Sequence, residues 1–363
     1  MKAIFACGGT GGHIYPAIAM AEELLRQDKK ASVIFVGSNR GMEKEIITKR
    51  GFEFAGINAR PFLRKITLKN FVNFFWVVKS FFEAGFIVKK FNPDVVIGTG
   101  GFASFAAVFM AALAGKKTMI HEPNVVPGAA NKVLSYFVTR ITTGFEATTG
   151  YFPAGKTTVT GNPLRESLLI NKKGQGLKKF GLRGGKKTVL IMPGSRAAKS
   201  INRIFTQVLP RAAKELKGTQ FIWMTGSDDY EAAVKTAAAN KKVKCCVLRF
   251  IDDAGLAYSA ADAGVLRAGA GTLTELEAVG LPSLIVPYPF ATGNHQEKNA
   301  AALMAKKAAI VVKDAELNAD VFIASIKSLL DKKAGAAMKK ELKKMYRGKS
   351  AQRIIRIAIG KNN

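Results

Sequence analysis

The stretch that decides the fold is "AIFACGGTGGHIYPAIAMAEELL", Ala3 to Leu25. A short apolar run, Ala3–Ala6, ends in a glycine cluster, and an amphipathic pattern follows from Pro16 to Gln27. This is a strand, a glycine loop and a helix in immediate succession. Backbone N–H groups of such a loop and the positive end of the helix hold an anion. Four glycines exceed what a tight turn requires. The spacing is not the dinucleotide fingerprint G-x-G-x-x-G. Counting from Gly9, the third glycine position falls on Ile14; counting from Gly8, Thr10 occupies the second. No Lys-Ser/Thr pair follows, so it is not a P-loop.

The same rhythm continues along the chain. Strands are predicted at Ala3–Ala6, Ser32–Val36, Val95–Ile97 and Thr118–His121, and then at Thr188–Met192, Gln220–Met224, Val247–Phe250, Ala263–Leu266 and Ser283–Val286. Helices such as Ile201–Leu216 and Thr272–Val279 lie between them. Alternation of this kind predicts parallel sheets built from βαβ units. The fold class is therefore α/β, with two Rossmann-like, doubly wound domains. Two such domains facing each other across a cleft would bind ligands at the carboxyl ends of their strands. The stretch Thr160–Lys187, rich in Gly and Lys, marks the boundary. Domains are expected at 1–163 and 164–340. A basic helical segment, 341–363, is expected to return to the first domain.

The chain has 363 residues, 48% of them apolar and 23% charged. That is enough apolar material for two cores. Lys and Arg number 56 against 26 Asp and Glu, a formal charge of +30. An anionic partner follows as an expectation: nucleic acid, anionic lipid or a phosphorylated substrate. Cys7, Cys245 and Cys246 show no CxxC or Cys/His metal spacing, which fits a reducing compartment. The start of the chain reads as lacking a secretory signal. The longest apolar-rich stretch, Phe71–Val88, is interrupted by Asn73, Lys79 and Glu83, which argues against a spanning helix.

Further motifs carry chemistry. "GTGGFASF", Gly98–Phe105, is a second glycine loop after a strand, with Gly100 and Gly101 at its turn. Two such loops in one domain suit an elongated anion such as a diphosphate. The three histidines, His13, His121 and His295, all read as loop residues, and a histidine is a candidate general base. No H-x-x-x-H or Asp-x-Asp pattern points to a metal. In the second half "PGSRAAKSIN", Pro193–Asn202, follows a strand, and "RAGAGTLTELEAVGLP" runs from Arg267 to Pro282. Gly269 and Gly271 free the backbone and Thr272 opens a helix that could take a diphosphate. Glu275, one turn in, is placed to accept from ribose hydroxyls or simply to favour the helix dipole. Arg267 is a candidate to neutralise a leaving phosphate.

Taken together, "GGTGGHIYPAIAMAEEL", "GTGGFAS", "HEPN", "TGNPLR", "FIDD" and "RAGAGTLTELEAVGLPSLIVPYPFATGNHQEKNA" closely resemble the MurG family over nearly the whole chain. These are UDP-N-acetylglucosamine: N-acetylmuramyl-(pentapeptide) pyrophosphoryl-undecaprenol N-acetylglucosamine transferases. The resemblance implies a GT-B fold and an inverting, metal-independent transfer with no cofactor. UDP-GlcNAc would be the donor and the undecaprenyl-pyrophosphoryl-MurNAc-pentapeptide, lipid I, the acceptor; lipid II would be the product. It also implies roles. The backbone of Ile251 would hold uracil, Glu275 the ribose, and Ser195 with the Ala270–Gly271–Thr272 turn the diphosphate. Leu273 and Thr274 would continue that contact, and Gln296 would touch the sugar. Thr10, Gly11, Gly12 and Asn124 would reach the donor sugar from the first domain, with Arg165 at the hinge. The first-domain glycine loops, Gly100 and Gly101 included, would hold the acceptor's pyrophosphate.

The chain departs from the family pattern at Arg196–Ala198, at Pro123 and at Phe102. The implied chemistry is attack by the acceptor's C4 hydroxyl on C1 of the donor sugar, with His13 as base, Arg267 near the leaving group and domain closure excluding water. A lipid acceptor requires access to a bilayer. Arg60–Phe91, rich in Phe and flanked by Lys and Arg, is the candidate face, partly core and partly interfacial. That places the protein peripherally on the cytoplasmic face of an anionic membrane. The rival readings are a basic nucleic-acid-binding protein, for which no motif is present, a UDP-sugar 2-epimerase and a lipid A disaccharide synthase.

Overall fold

The computed structural model describes residues 1–60, 68–169, 172–194 and 198–360; for residues 68–74, 166 and 167 the backbone alone is described. In the first half the order is β1 (Lys2–Ala6), α1 (Gly11–Gln27), β2 (Ser32–Ser38), α2 (Glu43–Thr48), β3 (Glu53–Ile57), α3 (Leu68–Phe91), β4 (Val95–Gly98), α4 (Phe102–Leu113), β5 (Lys117–Glu122), α5 (Ala129–Leu134), β6 (Arg140–Thr143) and β7 (Thr157–Val159). The strands form one sheet in the order β3-β2-β1-β4-β5-β6-β7, with parallel pairing throughout. Its central strand explains the opening sequence. Ala3, Ile4, Phe5 and Ala6 are all buried, because a parallel sheet covered by helices on both faces hides every side chain of its inner strands.

The second half runs α6 (Lys173–Lys179), β8 (Lys187–Met192), α7 (Lys199–Glu215), β9 (Thr219–Met224), α8 (Tyr230–Ala239), β10 (Cys245–Leu248), α9 (Ala254–Ala260), β11 (Ala263–Leu266), α10 (Ala270–Val279), β12 (Ser283–Ile285), α11 (His295–Ala305), β13 (Ile310–Val311), α12 (Ala319–Leu330) and α13 (Lys332–Met345), before α14 (Ser350–Ala358). Its sheet order is β10-β9-β8-β11-β12-β13, again parallel. One core packs Phe205 of α7 against Phe221, Trp223 and Phe322.

The chain divides into two compact units, Met1–Leu164 with Arg347–Asn363, and Arg165–Tyr346. Helix α13 therefore belongs to the second unit, and the chain crosses back after Tyr346 rather than at 341. The reason is local: Leu342 is buried and the Lys343 ammonium donates to the carbonyl of Ala278 at the end of α10. Helix α14 completes the first unit. Its Ile354, Ile355 and Ala358 join Ile14, Ala17, Ile18 and Ala21 of α1 in one apolar cluster, and Arg353 donates to the carbonyl of Thr160 at 2.7 Å.

Two differences from the sequence reading matter. Helix α1 starts at Gly11, five residues before Pro16. Thr10 takes the N-cap in an extended conformation, and its carbonyl accepts from His13 at 3.0 Å and Ile14 at 3.2 Å. Pro16 forfeits only one backbone bond so close to the helix start. His13 is thus a first-turn residue, not a loop residue. The edge strands β3, β7 and β13 and the inner strand β6 are also absent from the sequence reading; "RITT", "TTV" and "IV" are too short or too polar to stand out.

His121, on β5, is fully buried. Its Nε2 donates to Asn162 Oδ1 at 3.0 Å and its Nδ1 accepts from Thr142 Oγ1 at 3.1 Å. Burial lowers its pKa from 6.5 to about 4. The unfolded chain takes up this proton and the folded chain does not. Stability present above pH 6.5 is therefore lost as pH falls towards 4, on the order of 3 kcal/mol for this group. Urea midpoints measured across this range should fall with pH, and the slope should be flatter in His121→Asn.

Candidate functional site

In the first sheet, β1 and β4 are neighbours from which the chain departs to opposite sides. Such a switch point leaves a crevice at the strand ends. The loops after both strands meet there. Gly101 has φ +93°, and a Cβ on it would stand 2.6 Å from the carbonyl oxygen of Gly8. Gly100 has φ +114°, and its Cβ would stand 3.0 Å from His13 Nε2. Both positions therefore require glycine for conformation and for space. Thr99 Oγ1 donates to the carbonyl of His13 at 2.8 Å, locking the second loop to the first.

The His13 ring is oriented by this seam. Its Nδ1 lies 2.8 Å from the carbonyl of Gly8. A carbonyl only accepts, so Nδ1 carries the proton and Nε2 presents its lone pair. Thr10 and Gly12 are exposed and Gly11 half-buried. Gly11 and Gly12 lie in the first turn of α1, where N–H groups have no carbonyl one turn back. Gly101 is the N-cap of α4. The starts of α1 and α4 thus come together at the strand ends, where the sequence reading expects an anion.

Asn124 sits on a loop organised by Glu122, which is buried. The Glu122 carboxylate accepts from Asn124 N at 3.0 Å, Asn124 Nδ2 at 3.1 Å, Gly128 N at 3.1 Å and Asn131 Nδ2 at 2.9 Å. Pro123 uses its carbonyl, which accepts from Asn162 at 3.1 Å. Glu122 fixes where Asn124 points, a role the sequence reading did not assign.

The second sheet repeats the layout at β8 and β11. The loop after β8 turns at Gly194, φ +97°; Ser195, with Arg196 and Ala197, lies outside the described residues. After β11, Gly269 caps α10 in an extended conformation. Leu273 N is bonded to the Gly269 carbonyl at 3.0 Å, so the donors offered by this terminus are those of Ala270, Gly271 and Thr272. Leu273 and Thr274 follow these donors in the first turn. Both side chains are buried, and Thr274 Oγ1 donates back to Ala270 O at 3.0 Å. They shape the helix start and present no side chain outward.

Glu275 is half-buried. Its Oε2 accepts from the Tyr258 hydroxyl at 2.7 Å. Burial raises its pKa, with Tyr258 and the nearby charge of Arg165 pulling the other way. One oxygen is thus engaged by Tyr258, and the other is the one it can turn to a ligand. Tyr258 went unnoticed in "GLAYSA" because nothing in that string marks it. Ile251, buried, lies between β10 and α9, whose N-cap Asp253 accepts from Leu256 N at 3.0 Å. Gln296 Oε1 accepts from Ala268 N at 3.2 Å and Tyr288 N at 2.9 Å. Its amide nitrogen is what it can offer a sugar.

Arg267 is a correction to the sequence reading. Its guanidinium donates to Asp314, to the Ser200 hydroxyl at 2.9 Å, and to the carbonyls of Val286 and Pro287 at 3.1 Å each. The side chain is buried and braces the loops behind α10. A phosphate would have to compete with Asp314 for it. His295 opens α11, with Nδ1 donating to Thr292 O at 2.8 Å. Among the described residues no three His, Cys, Asp or Glu side chains group as a metal site.

Residues 3–143 match the glycosyltransferase family 28 N-terminal domain and residues 188–354 the family's C-terminal domain. A protein of Halothermothrix orenii named UDP-N-acetylglucosamine--N-acetylmuramyl-(pentapeptide) pyrophosphoryl-undecaprenol N-acetylglucosamine transferase is 40% identical over 339 residues, 91% of each chain. The chain belongs to the MurG family of glycosyltransferases. A protein of the same name from Caldanaerobacter subterraneus is 36% identical over 98% of this chain and 99% of its own. The crystal structure of Acinetobacter baumannii MurG superposes with a TM-score of 0.78 at 27% identity, covering 98% of this chain and 99% of that one. UDP-GlcNAc 2-epimerase from Neisseria meningitidis, solved with UDP-GlcNAc bound, gives a TM-score of 0.71 at 15% identity with full coverage of both chains; it shares the fold.

The seam between the loops is testable. Gly101→Ala should destabilise the protein by about 1–3 kcal/mol through strained backbone and also push the Gly8 loop away. Gly115, φ +68° with open space around it, is the control: Gly115→Ala should show the backbone effect alone. Urea unfolding and turnover of both variants separate the two.

Proposed function

We propose that this chain transfers GlcNAc from UDP-GlcNAc to the C4 hydroxyl of the MurNAc-pentapeptide of lipid I, giving lipid II with inversion at C1. The observation that carries the reading is His13. In a chain of this family, its imidazole is held with Nδ1 donating to Gly8 at 2.8 Å, so that Nε2 is ready to take a proton. In the proposed step the C4 oxygen forms a bond to C1 of the sugar. The bond from C1 to the UDP oxygen breaks, and the hydroxyl proton passes to Nε2. The leaving charge is met by the N–H groups of Ala270, Gly271 and Thr272 and by the dipole of α10. Glu275, steadied by Tyr258, accepts from the ribose. The backbone of Ile251 would hold uracil, and the Gln296 amide would touch the sugar. UDP is itself the leaving group, and the proposed step draws on no cofactor.

Labelled UDP-GlcNAc incubated with a polyprenyl-pyrophosphoryl-muramoyl-peptide should yield lipid-soluble label only when the acceptor is present. His13→Ala should lower kcat by roughly 10²–10⁴-fold with little change in donor KM. Glu275→Ala should instead weaken UDP binding, roughly tenfold for one lost charge-assisted hydrogen bond. Near-normal kcat in His13→Ala would overturn the base assignment.

The same reading places the protein peripherally on the cytoplasmic face of the cell membrane. On α3, Phe75, Phe82 and Phe86 are 65%, 74% and 68% exposed and recur at helical spacing. Phe81 turns inward on Phe105 and Phe109. Trp76 lies between the cations of Arg60 and Lys79, and Lys89 and Lys90 close the helix. Residues 61–67 of the expected segment lie outside the described residues. No helix among the described residues is long and apolar enough to cross a membrane. An apolar stripe beside cations suits the interface of an anionic leaflet. Sedimentation with vesicles should rise with anionic lipid content and fall with salt, and Phe82→Ser with Phe86→Ser should abolish it while leaving UDP affinity intact.

A further inference from the structure

Glu43, the first residue of α2, is fully buried. Three glycines make room for it. A Cβ on Gly41 would stand 1.6 Å from its Oε2, one on Gly37 3.2 Å from its Cβ, and one on Gly8 3.3 Å from its Oε1. Its Oε1 accepts from the backbone N–H of Gly9 at 2.8 Å, while its Oε2 has no hydrogen-bond partner. A buried carboxyl group with a single bond is unfavourable for folding alone. What that bond does is visible one atom further on. Gly9 N and Gly8 O belong to the same peptide group, and Gly8 O is the acceptor of His13 Nδ1 at 2.8 Å. The peptide is therefore clamped at both ends, by a carboxyl oxygen on its N–H and by an imidazole on its carbonyl.

We propose that Glu43 is a positioning residue for His13, acting through the Gly8–Gly9 peptide. It fixes the plane of that peptide, so that the carbonyl points at Nδ1. Accepting from the N–H also polarises the amide and makes its carbonyl a stronger acceptor. Both effects hold the proton on Nδ1 and leave the lone pair on Nε2. In hydrolases with a carboxylate–histidine pair the carboxylate touches the ring directly and sets its tautomer; here a peptide group stands between them. The catalytic consequence rests on the reading of His13 as the base. The orienting consequence does not.

The test uses the full-length chain, isotope-labelled on histidine, with His13 resonances assigned by their loss in His13→Ala. Nitrogen-15 spectra recorded above neutral pH report the tautomer of each neutral ring. In the unmodified protein His13 should be in the Nδ1–H form. In Glu43→Met, which fills the same space without an acceptor, the Nε2–H form should grow and kcat should fall roughly tenfold or more, with donor KM unchanged. Glu43→Gln keeps an acceptor oxygen in the same space but exchanges the carboxyl's other oxygen for an amide nitrogen. It should lie between the two, with the Nδ1 proton shifted upfield. Unchanged His13 spectra in folded Glu43→Gln overturn the proposal, even if Glu43→Met does not fold. A changed tautomer together with an active His13→Ala enzyme supports the positioning role and overturns the base assignment instead.

Discussion

The first unit depends on one backbone contact, the approach of the Gly101 α-carbon to the Gly8 carbonyl. Parallel β1 and β4 end side by side, and their chains leave in opposite directions. Two loops must then share the space of one. Only residues without side chains permit it, and only positive φ at Gly100 and Gly101 turns the chain into α4. The result is that the starts of α1 and α4 converge on one spot. The donors of both helix termini, and the ring of His13, are held there against one shared backbone seam.

The second unit uses the same layout with different chemistry. Its corresponding seam lies between β8 and β11. There the polar side chains turn inward and support the loops. Arg267 ties Ser200, Asp314 and two carbonyls together, and Gln296 ties residues 268 and 288. Removing a buried, multiply bonded guanidinium would leave several acceptors without partners. Arg267 is better understood as what keeps the start of α10 in place than as a group that meets substrate.

Much of this was legible in the residues. Apolar runs followed by glycines announce inner parallel strands, and "GGTGGH", "GTGG" and "RAGAGT" mark the turns at both seams. Helix-start glycines are visible because they break composition. What stayed hidden is of another kind. Glu43, Glu122 and Tyr258 look like ordinary residues in ordinary helices or strands, and their importance comes from partners only the folded chain reveals: Gly9 and Glu275, 34 and 17 residues away, and the loop from Asn124 to Asn131 that Glu122 gathers. No local pattern encodes such pairings. The same blindness made Arg267 look available, because its partner Asp314 is remote in sequence. The outer strands β3, β7 and β13 escaped notice because they bury less and so carry less apolar signal, and β6 because Arg140, Thr142 and Thr143 leave it almost no apolar run. The helix start at Gly11 was missed because Pro16 imitates a first-turn proline.

Helix α14 carries a consequence for how the protein is made. A ribosome emits the first unit's strands long before residues 350–358, yet those residues cover Ile14, Ala17 and Ile18 of α1. Throughout synthesis of Arg165–Tyr346 that apolar stripe lacks its natural cover. The nascent first unit therefore keeps one apolar flank open until α14 has emerged. His13, in the first turn of α1, therefore gains the support of α14 only after the whole second unit has been translated.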